Sequence, residues 1–203
     1  MNNSKLKTIQ NFIHDYIDLI DENNFEELYQ KAHSHLAGST SLLTITLLDA
    51  GIDPLLHLDY IPECYLWWSN IDHFDIPQHI NSIHANALGA TLIKSIIIPG
   101  NVKMIGAEAF INCNQLKTIE VQEGVHTIYD KAFARCNHIE KVKLPRSLAS
   151  LGKDIFGYNE SILEIEYNGT EHDWIMISKS RDLFLRSKAI IKGLDFEKKY
   201  GIS

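Results

Sequence analysis

With 203 residues, 45% hydrophobic and 22% charged, the chain has the composition of a soluble globular protein and the length for one substantial domain, alone or with an appendage. A net charge of −7 argues against the clustered lysines and arginines that bind phosphate, so nucleic acid is not an expected partner. The N-terminus lacks a secretory apolar run and no stretch reaches the ~18 apolar residues of a membrane span, so the expectation is a cytoplasmic protein with no membrane contact.

The first predicted element is an amphipathic helix over residues 5–20, from the helical spacing of Leu6, Ile9, Phe12, Ile13, Tyr16, Ile17 and Ile20. Asn24 with Glu27 has the form of a capping box and opens a second helix through about Ala32. Ser39, Thr40 or Ser41 can cap a third, LLTITLLDA, which Gly51 ends; being apolar nearly all round, it is expected to be buried. Pro54 after Asp53 suits one more short helix.

Beyond these helices the chain repeats itself. AFINCNQLKTI (109–119) returns as AFARCNHIEKV (132–142), 23 positions later. Val102, Ile105, Ala109, Phe110, Cys113, Leu116, Ile119 and Val121 recur 23 residues on as Val125, Ile128, Ala132, Phe133, Cys136, Ile139, Val142 and Leu144. A further 23 residues give Leu148, Leu151, Ile155, Phe156, Asn159, Ile162, Ile165 and Tyr167. A fainter copy precedes them by 22 residues at Ile76, Ile80, Ile83, Ala87 and Leu88, and Ile71, Phe74 and Ile76 precede Ile93, Ile96 and Ile98 by the same step. Five copies of L-x-x-I-x-L follow, the first two degenerate. A fixed period of 20–29 residues on that core is the signature of a leucine-rich-repeat solenoid, in which each copy buries its apolar side against the next.

The form L-x-x-I-x-[LV]-x-x-x-[VL]-x-x-[IL]-x-x-x-AF-x-x-[CN] resembles the BspA-like class of leucine-rich repeats, over roughly residues 60–175. YNGTEHDW (167–174) is similar to the way such arrays close, with a last strand, Asn-Gly-Thr and a Trp-bearing helix. The resemblance implies an α/β solenoid used for protein–protein contact, without cofactor or catalytic site; small members occur in bacteria, protists and bacteriophages. Thr170, with Asp173 three residues on, caps the closing helix, residues 188–191 offer a last strand, and EKKYGIS is expected to fray. The expected division is a helical N-terminal region over 1–58, a solenoid over 59–177, and a C-terminal cap and tail over 178–203.

Alternation along each strand points the residues flanking the central Ile out of the core. These are His73 and Asp75, Ser95 and Ile97, Thr118 and Glu120, Lys141 and Lys143, and Glu164 and Glu166, with Ile97 the single apolar member. Lys141 and Lys143 lie between glutamates on both sides, so an internal charge ladder worth about 0.2–1 kcal/mol per pair is favoured over an anion site. Five strands spaced ~4.8 Å make a face only about 19 Å wide, too small for the ~800 Å² that each partner gives to a standard interface, so loops or the helical cap must contribute. YLWWSN (65–70) stands where later copies have AFINCN. One aromatic among Tyr65, Trp67 and Trp68 is expected in the Phe slot, leaving a neighbouring Trp as a hot-spot candidate.

Other chemistry is not signalled. His33-Ser-His35 lacks Cys, Asp or Glu at ligand spacing, so no metal is expected. Cys64, Cys113 and Cys136 are odd in number, without a CxxC pair, and Cys113 and Cys136 share a register with Asn159 as small buried residues. No Gly-rich phosphate loop, G-x-S-x-G or H-E-x-x-H is present. The functional expectation is a non-enzymatic module for one protein partner, in one version a phage- or mobile-element-encoded inhibitor of a host defence enzyme. A self-associating subunit forming a homodimer is the alternative.

Overall fold

A computed structural model describes residues 3–36, 40–162, 164–178 and 190–194. The N-terminal segment forms α1 (Asn3–Asp15), α2 (Ile17–Asp21), α3 (Phe25–His35) and α4 (Thr40–Asp49), followed by a 3-10 turn at Pro54–Leu56. The helix predicted over 5–20 is interrupted at Tyr16, whose φ of −121° and ψ of 27° leave the helical region. α3 opens on Asn24, whose Oδ1 accepts from the Glu27 N–H at 3.4 Å. The Asn24 main-chain N–H is already given to the Leu19 carbonyl at 2.7 Å. Glu27 therefore turns to the Asn24 side-chain amide, 3.2 Å away, rather than closing a reciprocal box.

α4 ends as predicted on Gly51 (φ +79°), with Ile52 N–H on the Leu47 carbonyl and Gly51 N–H on that of Leu48. It is not buried all round: Leu43, Thr44 and Leu47 are inside, while Leu48 and Asp49 face solvent. The inward Thr44 hydroxyl bonds Tyr29 Oη at 2.6 Å, a polar tie between α3 and α4. Ser39 lies outside the described residues.

Among the described residues ten strands follow, in short and long pieces. The short ones are β1 (Tyr60–Ile61), β2 (Ser82–Ile83), β4 (Met104–Ile105), β6 (Thr127–Ile128) and β8 (Ser150–Leu151). The long ones are β3 (Ser95–Ile98), β5 (Thr118–Val121), β7 (Lys141–Leu144) and β9 (Glu164–Tyr167), joined after α5 (Glu171–Ile177) by β10 (Ile190–Lys192). All pair in parallel, as two five-stranded sheets: β1-β2-β4-β6-β8 and β10-β9-β7-β5-β3. The protein is thus a parallel-strand solenoid of about five coils with a helical N-terminal region.

One expectation about the strands needs correction. The segment carrying His73 and Asp75 is not a strand; Leu92 and Lys94 donate to its Ile71 and Asp72 carbonyls, and the ladder goes no further. The fifth strand of the long sheet is instead β10, from the C-terminal side. The second, short-stranded sheet has no counterpart in the sequence reading, because two-residue strands show no alternation.

A third ladder closes each coil. Between short and long strand runs an arm with two non-glycine residues in the left-handed region: Cys64 and Trp68, Asn86 and Ala90, Glu108 and Asn112, Lys131 and Arg135, Asp154 and Tyr158, with φ between 50° and 63°. Such residues cost about 1–2 kcal/mol each. The cost is offset because every second N–H then points at the next coil: Glu108, Phe110 and Asn112 donate to the carbonyls of Asp130, Ala132 and Ala134 at 2.8–3.0 Å.

Inside, Phe110, Phe133 and Phe156 stack with centroids 5.1 and 5.8 Å apart, one ring per coil. Beside them Cys136 donates its thiol to the Phe110 carbonyl at 3.1 Å, and Asn159 donates to that of Phe133 at 2.8 Å while accepting the Cys136 N–H. Tyr167 and Trp174 (5.2 Å) close one end, where Thr170 and Asp173 form a full capping box for α5. At the other end the rings of α3 and the first coil meet through Tyr29 and Tyr65, 5.9 Å apart.

Candidate interaction surfaces

The long sheet presents two outward rows. Ser95, Thr118, Lys141 and Glu164 are in one register; Ile97, Glu120, Lys143, Glu166 and Lys192 are in the other. The ion pairs between strands run diagonally: Lys141 Nζ reaches Glu166 at 3.8 Å, and Lys192 Nζ reaches Glu164 at 2.6 Å. The Lys192 hydrogen bond holds the Glu164 carboxyl below its usual range. Three glutamates face three lysines, so the rows compensate their own charge. Lys143 and Glu120, neighbours in register, are the two charged members with no ion pair among the described residues. Ile97 stands 56% exposed on β3, the edge strand of the sheet. His73 and Asp75, off the sheet, bond each other at 3.1 Å and face solvent.

The aromatic cluster resolves differently from expectation. Leu66, not an aromatic, takes the Phe slot: its N–H donates to Ala87 as that of Phe110 does to Ala132. Tyr65 occupies the Ala slot and is buried against Tyr29, because helix α3 rather than another coil lies on that side. Trp67 lies half-buried across Gly89; a Cβ there would come within 2.3 Å of its ring. Trp68 points outward, 73% exposed, on a left-handed backbone (φ 61°).

A cleft of about 410 Å³ separates α3 from the first coil, lined by Glu26, Tyr29, Gln30, His33, Tyr60, Pro62, Glu63 and His84. Tyr60 stacks on His84, centroids 4.5 Å apart and rings 14° from parallel. Burial, then the charges of Glu26 and Asp59, raise the Tyr60 phenol above its ordinary range. Burial lowers His84 against the opposite pull of Glu63 and Asp59. Sequence reasoning missed this site. Its signal was Tyr60 itself, which shares a register with Ser82, Met104, Thr127 and Ser150, a column with no other aromatic.

With two parallel sheets, a turn-built arm and a stacked Phe column in place, the family can be assigned. The model for the BspA type leucine rich repeat region matches six copies over residues 59–173. The chain belongs to the BspA-type leucine-rich-repeat family. Among solved structures it is similar to the pneumococcal vaccine antigen PcpA (23% identity, TM-score 0.49), covering 55% of this chain and 28% of that one. A leucine-rich-repeat protein from Bacteroides capillosus gives 26% identity and a TM-score of 0.42, covering 44% of this chain and 64% of that one. A leucine-rich cell surface protein from Faecalibacterium prausnitzii gives 27% and 0.42, covering 57% and 37%. The chain thus spans less than two thirds of the length of each. A search of curated proteins finds no match.

As a BspA-type array the protein has an architecture consistent with a protein-interaction module. Its cysteines are placed for packing: Cys113 and Cys136 are buried, and burial pushes the Cys136 thiol well up. For Cys64, burial and then Glu63 push the thiol up to about 11, away from reactive thiolate character. Among the described residues no group of three or more His, Cys, Asp or Glu is placed to hold a metal ion, and no helix is long and apolar enough to cross a membrane.

Proposed function

We propose that the protein is a non-enzymatic binding module that recognises one specific protein partner through its repeat surface and helical cap. One observation carries the reading: Trp68 is a large aromatic left 73% exposed on a backbone conformation that favours Asn or Gly, where the other coils hold Ala90, Asn112, Arg135 and Tyr158. Neither core packing nor turn chemistry calls for tryptophan there. Ile97, exposed on the edge strand of the long sheet, is a second anchor. The self-compensated rows of the sheet supply specificity more than affinity, since rim charges contribute little net binding energy.

In its sharper form the module works in the cytosol by occluding its target, as a phage- or mobile-element-encoded inhibitor of a host defence enzyme. The net charge of −7 supports competition for a basic groove. The test is reconstitution: the partner captured from native lysate is purified and mixed with the full chain, and the complex is sized by light scattering. A stoichiometric complex lost in Trp68→Ala, or in Lys141→Glu/Lys143→Glu, is the expected result. A complex indifferent to all of these would remove the proposed surface.

The alternative is self-association, favoured by Ile175 and Met176, exposed beside one another on α5. A monomer at micromolar concentration would eliminate it.

A further inference from the structure

The cleft between α3 and the first coil differs from the neighbouring hollows in its charge. Its lining carries two carboxylates, Glu26 and Glu63, and no lysine or arginine. Glu26 enters no ion pair among the described residues, and Glu63 has one, with His33 Nδ1 at 3.8 Å, which is ionic only when the imidazole is protonated. On the other flank of α3 a hollow of about 210 Å³ contains Lys31, which pairs with Glu27 at 3.9 Å. A hollow of about 430 Å³ by β6 and β8 sets Lys153 beside Asp130. Of the three, the cleft under α3 alone lacks a lysine or arginine.

Its wall provides the complementary half. The parallel Tyr60–His84 stack lines the same cleft as the two carboxylates and offers aromatic ring surface there. Flat aromatic surface with acidic groups beside it suits a planar, weakly hydrated guanidinium better than a compact ammonium. The volume, about 410 Å³, falls near the lower end of the ~300–1,000 Å³ of ligand pockets, room for a long side chain rather than a domain. The cleft shares Glu26 and Gln30 with the hollow across α3, so the acidic track is longer than one small cation and suits an extended segment.

We propose that this cleft receives an arginine side chain from a basic segment of a protein partner, with Glu26 and Glu63 as acceptors and the Tyr60–His84 stack as platform. The inference rests on the protein-binding reading and names the partner's chemistry.

The test titrates the full chain with a Gly-Gly-Arg-Gly-Gly peptide, blocked at both ends, and with its citrulline counterpart, following the His33 and His84 ring signals by NMR. The arginine peptide is expected to shift them saturably and the neutral isostere not. Glu26→Gln/Glu63→Gln should weaken binding about tenfold or more, the scale of lost charge-assisted hydrogen bonds. Glu160→Gln, exposed on the last coil, serves as control. Should the double variant fail to fold, Glu26→Gln alone carries the comparison, since Glu26 is exposed on α3. No saturable shift at millimolar peptide, or an equal response to citrulline, overturns the site. Spermidine binding as tightly as the peptide overturns the protein source. A partner complex lost in Trp68→Ala yet unchanged in Glu26→Gln/Glu63→Gln overturns the cleft alone and leaves the protein-binding reading standing.

Discussion

The middle coils and the first coil solve the same burial problem with different neighbours. From Val102 to Leu144 each rung lies between copies of itself, so Phe133 meets Phe110 on one side and Phe156 on the other. The first coil has a copy on one side and a helix on the other. Its residues change accordingly: Tyr65 replaces Ala to reach Tyr29, Leu66 replaces Phe, and Trp67 covers Gly89. A repeated rung is selected by its own shape; a terminal rung is selected by a surface that does not repeat.

The comparison can be broken most directly in the middle. Phe133→Ala should lower unfolding free energy by about 3–5 kcal/mol in urea denaturation, since a ring is lost between two others. A loss under ~1 kcal/mol would show that the coils do not depend on that column. Asn159→Ala comes next, because it leaves the Cys136 N–H and the Phe133 carbonyl unpaired inside, at about 1–3 kcal/mol for each. Cys136→Ala, losing one thiol bond, should cost less in the same assay.

At the first coil, Gly89→Ala should cost about 1–3 kcal/mol by driving a methyl into the Trp67 ring. The half-buried Trp67 can move, so adding Trp67→Ala should recover at least ~0.5 kcal/mol as a coupling energy. Strict additivity would mean that the ring never lay on Gly89.

The far cap has its own signature. Hydrogen bonds that the Asp173 carboxyl accepts from Thr170, from its main-chain N–H first and then from its side chain, hold it below its ordinary range. A depressed folded pKa gives stability that is present above the unfolded value of ~3.9 and lost as pH falls through the folded value. Asp173→Asn should therefore lower the neutral plateau of a thermal-stability profile and flatten its acid limb, with variant and parent converging at low pH. The smallest effect belongs to Trp68→Gly, within about 0.5 kcal/mol or stabilising because the left-handed strain is relieved. The same change should abolish the partner complex.

What could be read in advance follows the same division. Subtraction by 22 or 23 found the Phe, Ala and Cys/Asn columns because each is satisfied by its neighbour copy. Gly51, Thr170 and Asp173 were legible as local end signals. The His73–Asp75 segment was read as a strand because its Ile71, Phe74 and Ile76 keep the apolar spacing; spacing carries no information on whether the ladder forms. The Tyr60 cleft was invisible for a related reason, since Glu26 and His33 belong to a helix whose docking no repeat encodes. Ile97, Lys143 and Glu120 were placed correctly outward by alternation, whereas the diagonal pairing of Lys141 with Glu166 depends on side-chain reach.

The turn-built arm gives the molecule an electrical direction. In a parallel sheet a strand offers donors and acceptors to both neighbours. In the arm, the peptides ending in Cys64, Leu66 and Trp68, and their counterparts in successive coils, all point their N–H groups the same way along the stack. Each peptide carries about 3.5 D, and aligned peptides add as they do in a helix. The column is thus a polarised rod, positive toward the last coil and negative toward the first, and its negative pole lies at the Glu63 peptide, beside the acidic cleft.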